Sequence, residues 1–168
     1  MLFYYGIARR LPVSYSRYGG PMWKKLRRVC AQNLLAHCGV DTNIEHGAHF
    51  DFGDNVWLGN KSDLGVNCEI HGEVHIGDCT FMGPGVGIWT SNHRFDRHDI
   101  PIMDQGSYEE QPVYIGSDVW VGARVIILPG VHIGDHSIIG AASVVTKDIP
   151  PWSIAVGNPA RVIRSRCA

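Results

Sequence analysis

No apolar run in the chain approaches the roughly 18 consecutive residues that a bilayer-spanning helix requires. Residues 1–5 are apolar, but no basic stretch precedes them and no long apolar core follows. Neither a membrane span nor a secretory leader is therefore expected. The five cysteines (Cys30, Cys38, Cys68, Cys79 and Cys167) are odd in number and contain no CxxC pair. That argues against a disulfide framework and for free, mostly buried thiols in a reducing, cytoplasmic setting. Acidic residues are missing from the first 40 positions, which hold Arg9, Arg10, Arg17, Lys24, Lys25, Arg27 and Arg28; the remainder has eight bases against all 16 acids. This asymmetry has two readings. It could be a basic arm that attracts an anionic substrate or membrane surface, or a solvated helix face that complements an acidic body. Aromatic–basic interleaving and nucleic-acid motifs are both absent, which favours the second reading and excludes nucleic acid as an expected partner.

What the chain does have is 20 glycines among 168 residues, with 45% apolar residues to form a core. The glycines recur with a period. Residues 40–93 divide into blocks of six: VDTNIE, HGAHFD, FGDNVW, LGNKSD, LGVNCE, IHGEVH, IGDCTF, MGPGVG and IWTSNH. The register resumes at Ile115 with IGSDVW, VGARVI, ILPGVH, IGDHSI, IGAASV and VTKDIP. The first position is aliphatic, Met or Phe in fourteen of the fifteen blocks, and the second is Gly in ten. Neither the period of two of an ordinary strand nor the 3.6 of a helix explains this. A short strand followed by a tight corner does, and three such units close a triangular coil of roughly eighteen residues. Successive coils stack about 4.8 Å apart, the spacing of hydrogen-bonded strands. First-position side chains then point inward, and glycine stands where a Cβ would crowd a corner. The fold class predicted is mainly β: a parallel β-helix of about five coils over residues 40–156, built as a solenoid.

Three segments lie outside the repeat. Residues 1–39 form a basic N-terminal segment in which Gly20-Pro21 opens a helix and Gly39 follows its end. Met22, Leu26, Val29, Cys30 and Leu34 fall on one face, with Lys24, Lys25, Arg27 and Arg28 mostly off it, so the helix is expected to cap the open coil. Residues 94–112 are polar, contain two prolines and are too long for a simple connection, which suits an arm beside a functional site. Residues 157–168 leave the solenoid as a tail with Arg161, Arg164 and Arg166.

His93 ends the block just before the arm. An imidazole whose ordinary pKa is near 6.5 can remove a proton from an attacking hydroxyl at neutral pH. The other seven histidines outside the arm (His37, His46, His49, His71, His75, His132 and His136) read as ordinary surface residues, and no metal site is expected. The sequence Thr90-Ser91-Asn92-His93, the later run from Pro112 to Gly122, and the ending Val145-Thr146-Lys147-Asp148 with residues 157–164 together resemble the galactoside, maltose and nodulation-factor O-acetyltransferases of the hexapeptide-repeat family. The resemblance covers residues 40–166 and implies a left-handed helix sense, which spacing alone does not give.

It also implies roles. His93 corresponds to the family's catalytic base. Trp120 corresponds to a residue that packs on the pantetheine arm of acetyl-CoA, and the Ala123 backbone N–H to one facing the thioester oxygen. The Ala141 backbone corresponds to a pantetheine contact, and Thr146, Lys147, Arg161 and Arg164 to the end that meets the nucleotide and phosphates. Asp63 and Asn92 correspond to the acceptor pocket, although the galactoside and maltose enzymes carry Asn where this chain has Asp63. Asp96, Glu109 and Glu110, in the arm, are candidates to orient His93 or to bind the acceptor. The implied enzyme is a homotrimer with each site between two subunits, and exposed Trp57, Trp89 and Trp120 offer apolar surface to cover. The expected reaction is direct acetyl transfer from acetyl-CoA to a hydroxyl of a sugar or saccharide precursor, in surface-polysaccharide synthesis. Alternatives are transfer to serine or another small hydroxyl compound, a zinc lyase on the same solenoid, and a non-catalytic scaffold.

Overall fold

The computed structural model describes residues 1–167, and its centre is a three-sided stack of parallel strands. One face stacks His37–Cys38, Val56–Leu58, Val74–Ile76, Val113–Ile115 and His132–Ile133. A second stacks Phe81–Met82, Trp120–Val121, Ile138–Ile139 and Ser153–Val156, and Arg161–Ser165 closes it as an antiparallel edge. Asp63–Leu64 continues this face upward, since Asp63 N donates to Thr80 O (2.9 Å). The third stacks Glu69–His71, Gly87–Trp89, Ile126–Ile127 and Val144–Val145. The chain thus forms the expected parallel solenoid, with five strands on the first face.

The repeat dictates what goes inside. From Leu58 to Val145 every first-position residue of the blocks is buried, while Val40, His46 and Phe52 in the earliest blocks are not. The first coil differs because it is covered by the N-terminal helices, and Ile44, Ala48 and Phe50 fill its centre instead. Fifth-position residues other than Asn92 are also interior, and several are hydroxyls. Ser62 Oγ donates to Gly77 O (2.6 Å) and accepts from Thr80 N (2.9 Å). Thr80 Oγ1 donates to Gly116 O (2.7 Å) and accepts from Val119 N (3.0 Å). Each buried hydroxyl therefore joins one coil to the next with its polar capacity used.

The repeat glycine has a different task from the corner residue. Left-handed φ values fall on non-glycine residues such as Lys61, Cys79, Asp118, Arg124, His136 and Ala142. The second-position glycine is required by proximity. A Cβ on Gly65 would lie 2.4 Å from Gly83 O and 2.5 Å from Met82 O, backbone of the following coil.

Two helices, α1 (Leu2–Gly6) and α2 (Gly20–Ala31), cover the first coil. The cap corrects two expectations. α2 ends at Ala31, eight residues before Gly39. Its inner face is not the apolar stripe: Met22 and Val29 are exposed, and Arg27 is fully buried. Backbone carbonyls facing the helix, one from the first coil and two from the N-terminal segment, explain this. Arg27 Nε donates to Ile44 O (2.6 Å), Nη1 to Leu11 O (3.1 Å) and Pro12 O, and Nη2 to Glu45 Oε2 (3.1 Å). Burial alone would raise the Glu45 carboxyl. Hydrogen bonds from Ser14, Asn43 and the His46 N–H outweigh it and hold the group below its ordinary range. The cysteines also differ from expectation. All five are free, but only Cys68 is buried, its thiol pushed up to about 12 by burial, and Cys79 and Cys167 are exposed.

Two outcomes follow from this packing. Gly65→Ala is expected to destabilise the fold by about 1–3 kcal/mol, because the opposing atoms are backbone and cannot yield. Ala142→Gly, at φ 59 on an exposed corner, is expected to be neutral or stabilising by up to about 1 kcal/mol; denaturant melts of the two variants check both. Because the folded-state pKa of Glu45 is depressed, its contribution is present above the unfolded pKa and lost as pH falls through the folded one. Acidification below about pH 4 is expected to release residues 1–31 before the coils melt. Arg27→Ala, which strands a buried carboxylate at a cost of about 3–5 kcal/mol, is expected to release them at neutral pH. Amide hydrogen exchange resolved along the chain measures both.

Candidate active site

The arm leaves the third face after Trp89 and re-enters the first face at Val113, in register with Val74. It folds back on its own base. Tyr108 N donates to Asn92 O (2.9 Å), Arg94 N to Gly106 O (2.9 Å) and Gln111 N to Thr90 O (2.7 Å), with a backbone bridge between His93 and Ser107. His93 is thereby held by its backbone at the edge between the third and first faces, with its side chain exposed. Among the described residues its ring makes no side-chain hydrogen bond. Asp96 does not orient it: that carboxylate is engaged by Arg94 (3.1 Å) and the Tyr108 hydroxyl (3.3 Å) within the arm. Glu109 and Glu110 are exposed. Beside His93, a cavity of about 240 Å³ is lined by Asn92, Tyr108, Glu109, Gln111, Pro129 and Thr146. Lys147 is exposed next to Thr146.

The remaining predicted residues lie elsewhere on the prism. Asp63, Phe81, Trp120 and Ile138 occupy equivalent positions on successive coils of the second face. Trp120 is 48% exposed and stacks on Phe81, with centroids 5.8 Å apart. Half-buried Asp63 accepts from Met82 N (2.7 Å), and burial pushes its carboxyl up to about 6 despite that bond. Ala123 and Ala141 follow one another along the edge between the second and third faces, where Gly83 and Gly122 abut their backbone nitrogens. Arg161 and Arg164 project from the terminal antiparallel strand, and Arg164 is in register with Ile154 on the second face.

The structure thus gathers the predicted residues into two groups. Asn92, His93, Thr146 and Lys147 lie along one edge, while Asp63, Trp120, Ala123, Ala141, Arg161 and Arg164 belong to the second face and the edge beyond it. The third face separates the two edges within one chain.

Sequence reasoning missed two further arrangements. On the first face, Trp57, His75, Tyr114 and His132 stack ring on ring, with centroids 4.1, 4.7 and 4.7 Å apart. They line the largest concavity, about 610 Å³, together with Pro150 and Pro151. Trp57 and Trp89 are half-buried rather than exposed. At the capped end, His49, Asp51 and His71 converge. Coil register was the available signal for the aromatic column, whereas His49 pairs with Glu69 at an offset of 20 residues, so an eighteen-residue register would have set Asp51 beside Glu69 rather than His71.

Comparison with known proteins now adds to this geometry. The family described as bacterial transferase hexapeptide (six repeats) matches residues 112–147. The galactoside O-acetyltransferase of Escherichia coli K12 is 37% identical over 140 residues, covering 82% of this chain and 68% of the relative. The crystal structure of a maltose O-acetyltransferase from Clostridium difficile 630 superposes with a TM-score of 0.78 at 33% identity, covering 97% of this chain and 84% of that one. A hexapeptide-repeat acetyltransferase of Vibrio cholerae complexed with acetyl-CoA gives a TM-score of 0.80 at 28% identity, over 96% and 85% of the two chains. On the repeat, the coil and these relatives together, the chain belongs to the hexapeptide-repeat family, as an acyl-CoA-dependent acetyltransferase.

Proposed function

We propose that the chain moves an acetyl group from acetyl-CoA to a hydroxyl of a sugar or saccharide precursor, with His93 as the base, in a homotrimer whose sites lie between two copies. The observation that carries the reading is the exposed His93 imidazole, fixed through its backbone at the root of the arm beside a polar cavity. Bound acetyl-CoA supplies an activated acetyl group. His93 takes the acceptor hydroxyl proton as its oxygen forms the new ester bond, then returns a proton to the departing thiolate. The Ala123 backbone N–H stabilises the developing oxyanion. Trp120 gives the pantetheine arm a flat apolar surface, and Arg161, Arg164, Lys147 and Thr146 meet phosphates. Asp63 and Asn92 take the acceptor; with a carboxyl titrating near 6, Asp63 is mainly ionised at neutral pH and accepts hydrogen bonds from hydroxyls. The relatives named for galactoside and maltose acetylation support a sugar acceptor, and the five free thiols support a cytoplasmic setting.

A second copy is invoked because Trp120, Ala123, Ala141, Arg161 and Arg164 stand away from the edge that bears His93, Thr146 and Lys147. An edge bearing His93 and a neighbour's face bearing Trp120 make a cleft that a single prism surface does not.

His93→Ala is expected to lower kcat for thiol release by about 10²–10⁴-fold while acetyl-CoA binding, followed calorimetrically, stays within twofold; unchanged turnover would remove His93 as base. The shared site has its own check. Co-expressing His93→Ala chains with Trp120→Ala chains is expected to recover activity that neither homo-oligomer has, because a mixed assembly regenerates sites with both native residues. No recovery from verified mixed oligomers would place the whole site on one chain.

A further inference from the structure

We propose that His49, Asp51 and His71 form a binding site for a divalent transition-metal ion of the zinc class, at the capped end of the solenoid and apart from the acetyl-transfer residues. His49 Nε2 lies 3.1 Å from Asp51 Oδ1, and His71 Nδ1 lies 3.2 and 3.3 Å from the two carboxylate oxygens. All three ligand atoms fall within 4.8 Å of one another. An ion with bonds of about 2.0–2.2 Å in tetrahedral geometry holds its ligands roughly 3.3–3.5 Å apart. The two imidazole-to-carboxylate edges are therefore within a few tenths of an ångström of those such an ion requires, and the two imidazole nitrogens lie within 4.8 Å of each other. Two imidazoles and one carboxylate suit zinc, cobalt or nickel rather than magnesium or calcium, which take oxygen ligands.

The donors come from adjacent coils and are held from behind. Asp51 has a left-handed φ of 47, like other corner residues of the solenoid. Here the Tyr5 hydroxyl donates to Asp51 O (2.6 Å) and accepts from Phe50 N (3.2 Å). The Tyr5 ring packs on His49, with centroids 5.3 Å apart, and His71 is backed by Trp89 at 6.1 Å. Thr90 Oγ1 fixes the backbone of His71 through a 3.0 Å bond to its carbonyl. Such outer contacts orient ligands and set metal affinity. The Asp51 side chain is 44% exposed, and those of His49 and His71 are 31% and 38% exposed, so the cluster can be reached.

Three protein ligands leave a fourth position. His49, Asp51 and Tyr5 also line a cavity of about 490 Å³ whose other walls are Met1, Leu2 and Phe52. The fourth ligand is therefore exchangeable: a water, or the oxygen of a small molecule with an apolar body that fills this cavity. The alternative is a pair of histidines hydrogen-bonded to a carboxylate with no affinity for metal.

The experiment uses the metal-free full chain with Zn²⁺ and Co²⁺ as probes, and its readout is binding, so the outcome is independent of whether the chain acetylates sugars. Equilibrium dialysis is expected to give one equivalent per chain, and Zn²⁺ to raise the thermal midpoint as a native-state ligand does. The Co²⁺ adduct should show visible d–d bands without thiolate charge-transfer absorption. Asp51→Asn and His71→Ala should each lower affinity at least tenfold. On the unaltered chain, Zn²⁺ should shield His49 and His71, but not His93 and His98, from diethyl pyrocarbonate, as mapped by mass spectrometry; this arm needs no variant to fold. Less than half an equivalent bound, a thiolate band pointing to Cys79 or Cys167, or equal labelling of all four histidines with and without zinc would overturn the assignment.

Discussion

Coil-to-coil backbone contact governs this molecule. Each strand hydrogen-bonds only to its equivalents one coil away, so every turn must repeat the path of the one before it. At the second position of the repeat the approach is too close for a Cβ: Gly65 faces Gly83 and Met82 carbonyls, and Gly122 faces the Ala141 nitrogen at 2.5 Å from where a Cβ would be. A strict spatial period follows, and from it come the inward aliphatic column, the buried hydroxyls that join coils, and the ordered columns of exterior side chains. The aligned Asp63, Phe81 and Trp120 and the stacked Trp57, His75, Tyr114 and His132 are products of the same constraint. Unpaired backbone at the ends of the stack is the cost. At the first coil Arg27 donates to the Ile44 carbonyl and ties down the N-terminal segment through the Leu11 and Pro12 carbonyls, and at the last Arg161–Ser165 pairs antiparallel with Ser153–Val156.

The solenoid was legible because its signal is periodic and redundant. No single block such as LGNKSD carries it; fifteen blocks in two registers do. The cap was read less well, for a physical reason. A helix on the end of a β-stack faces backbone carbonyls as well as apolar side chains, so Arg27 displaced the apolar stripe that a helical pattern predicts. Phe52 fits the repeat as sequence yet is 65% exposed, because the terminal coil is shaped by its cover. The left-handed conformation of the corners was not legible in the sequence. Glycine marks close approach, whereas the left-handed corners accept Lys61, Arg124 and His136.

The active-site residues were legible to a different degree. His93 stood out by its place before the arm, and the structure puts it at the arm's root. Which residues share a cleft was not legible, because that depends on which edge each block reaches. Asn92 and Thr146 line one cavity although 54 positions separate them, while Trp120, nearer in sequence to both, lies on another face. The convergence of His49, Asp51 and His71 was hidden for the same reason. Each histidine alone is an ordinary half-exposed residue, and only an offset of 20 residues, two more than the regular coil, brings them to one carboxylate.

The arm leaves after Trp89 and the chain resumes at Val113 directly over Val74. Its two ends are therefore fixed by the stack, whatever happens between them. Closing a longer or shorter excursion across such fixed ends changes the free energy only logarithmically with length. Residues 94–112 are thus a cassette. Its content can diverge without retuning the core beneath, so a scaffold held to a strict period carries one stretch released from it, next to His93.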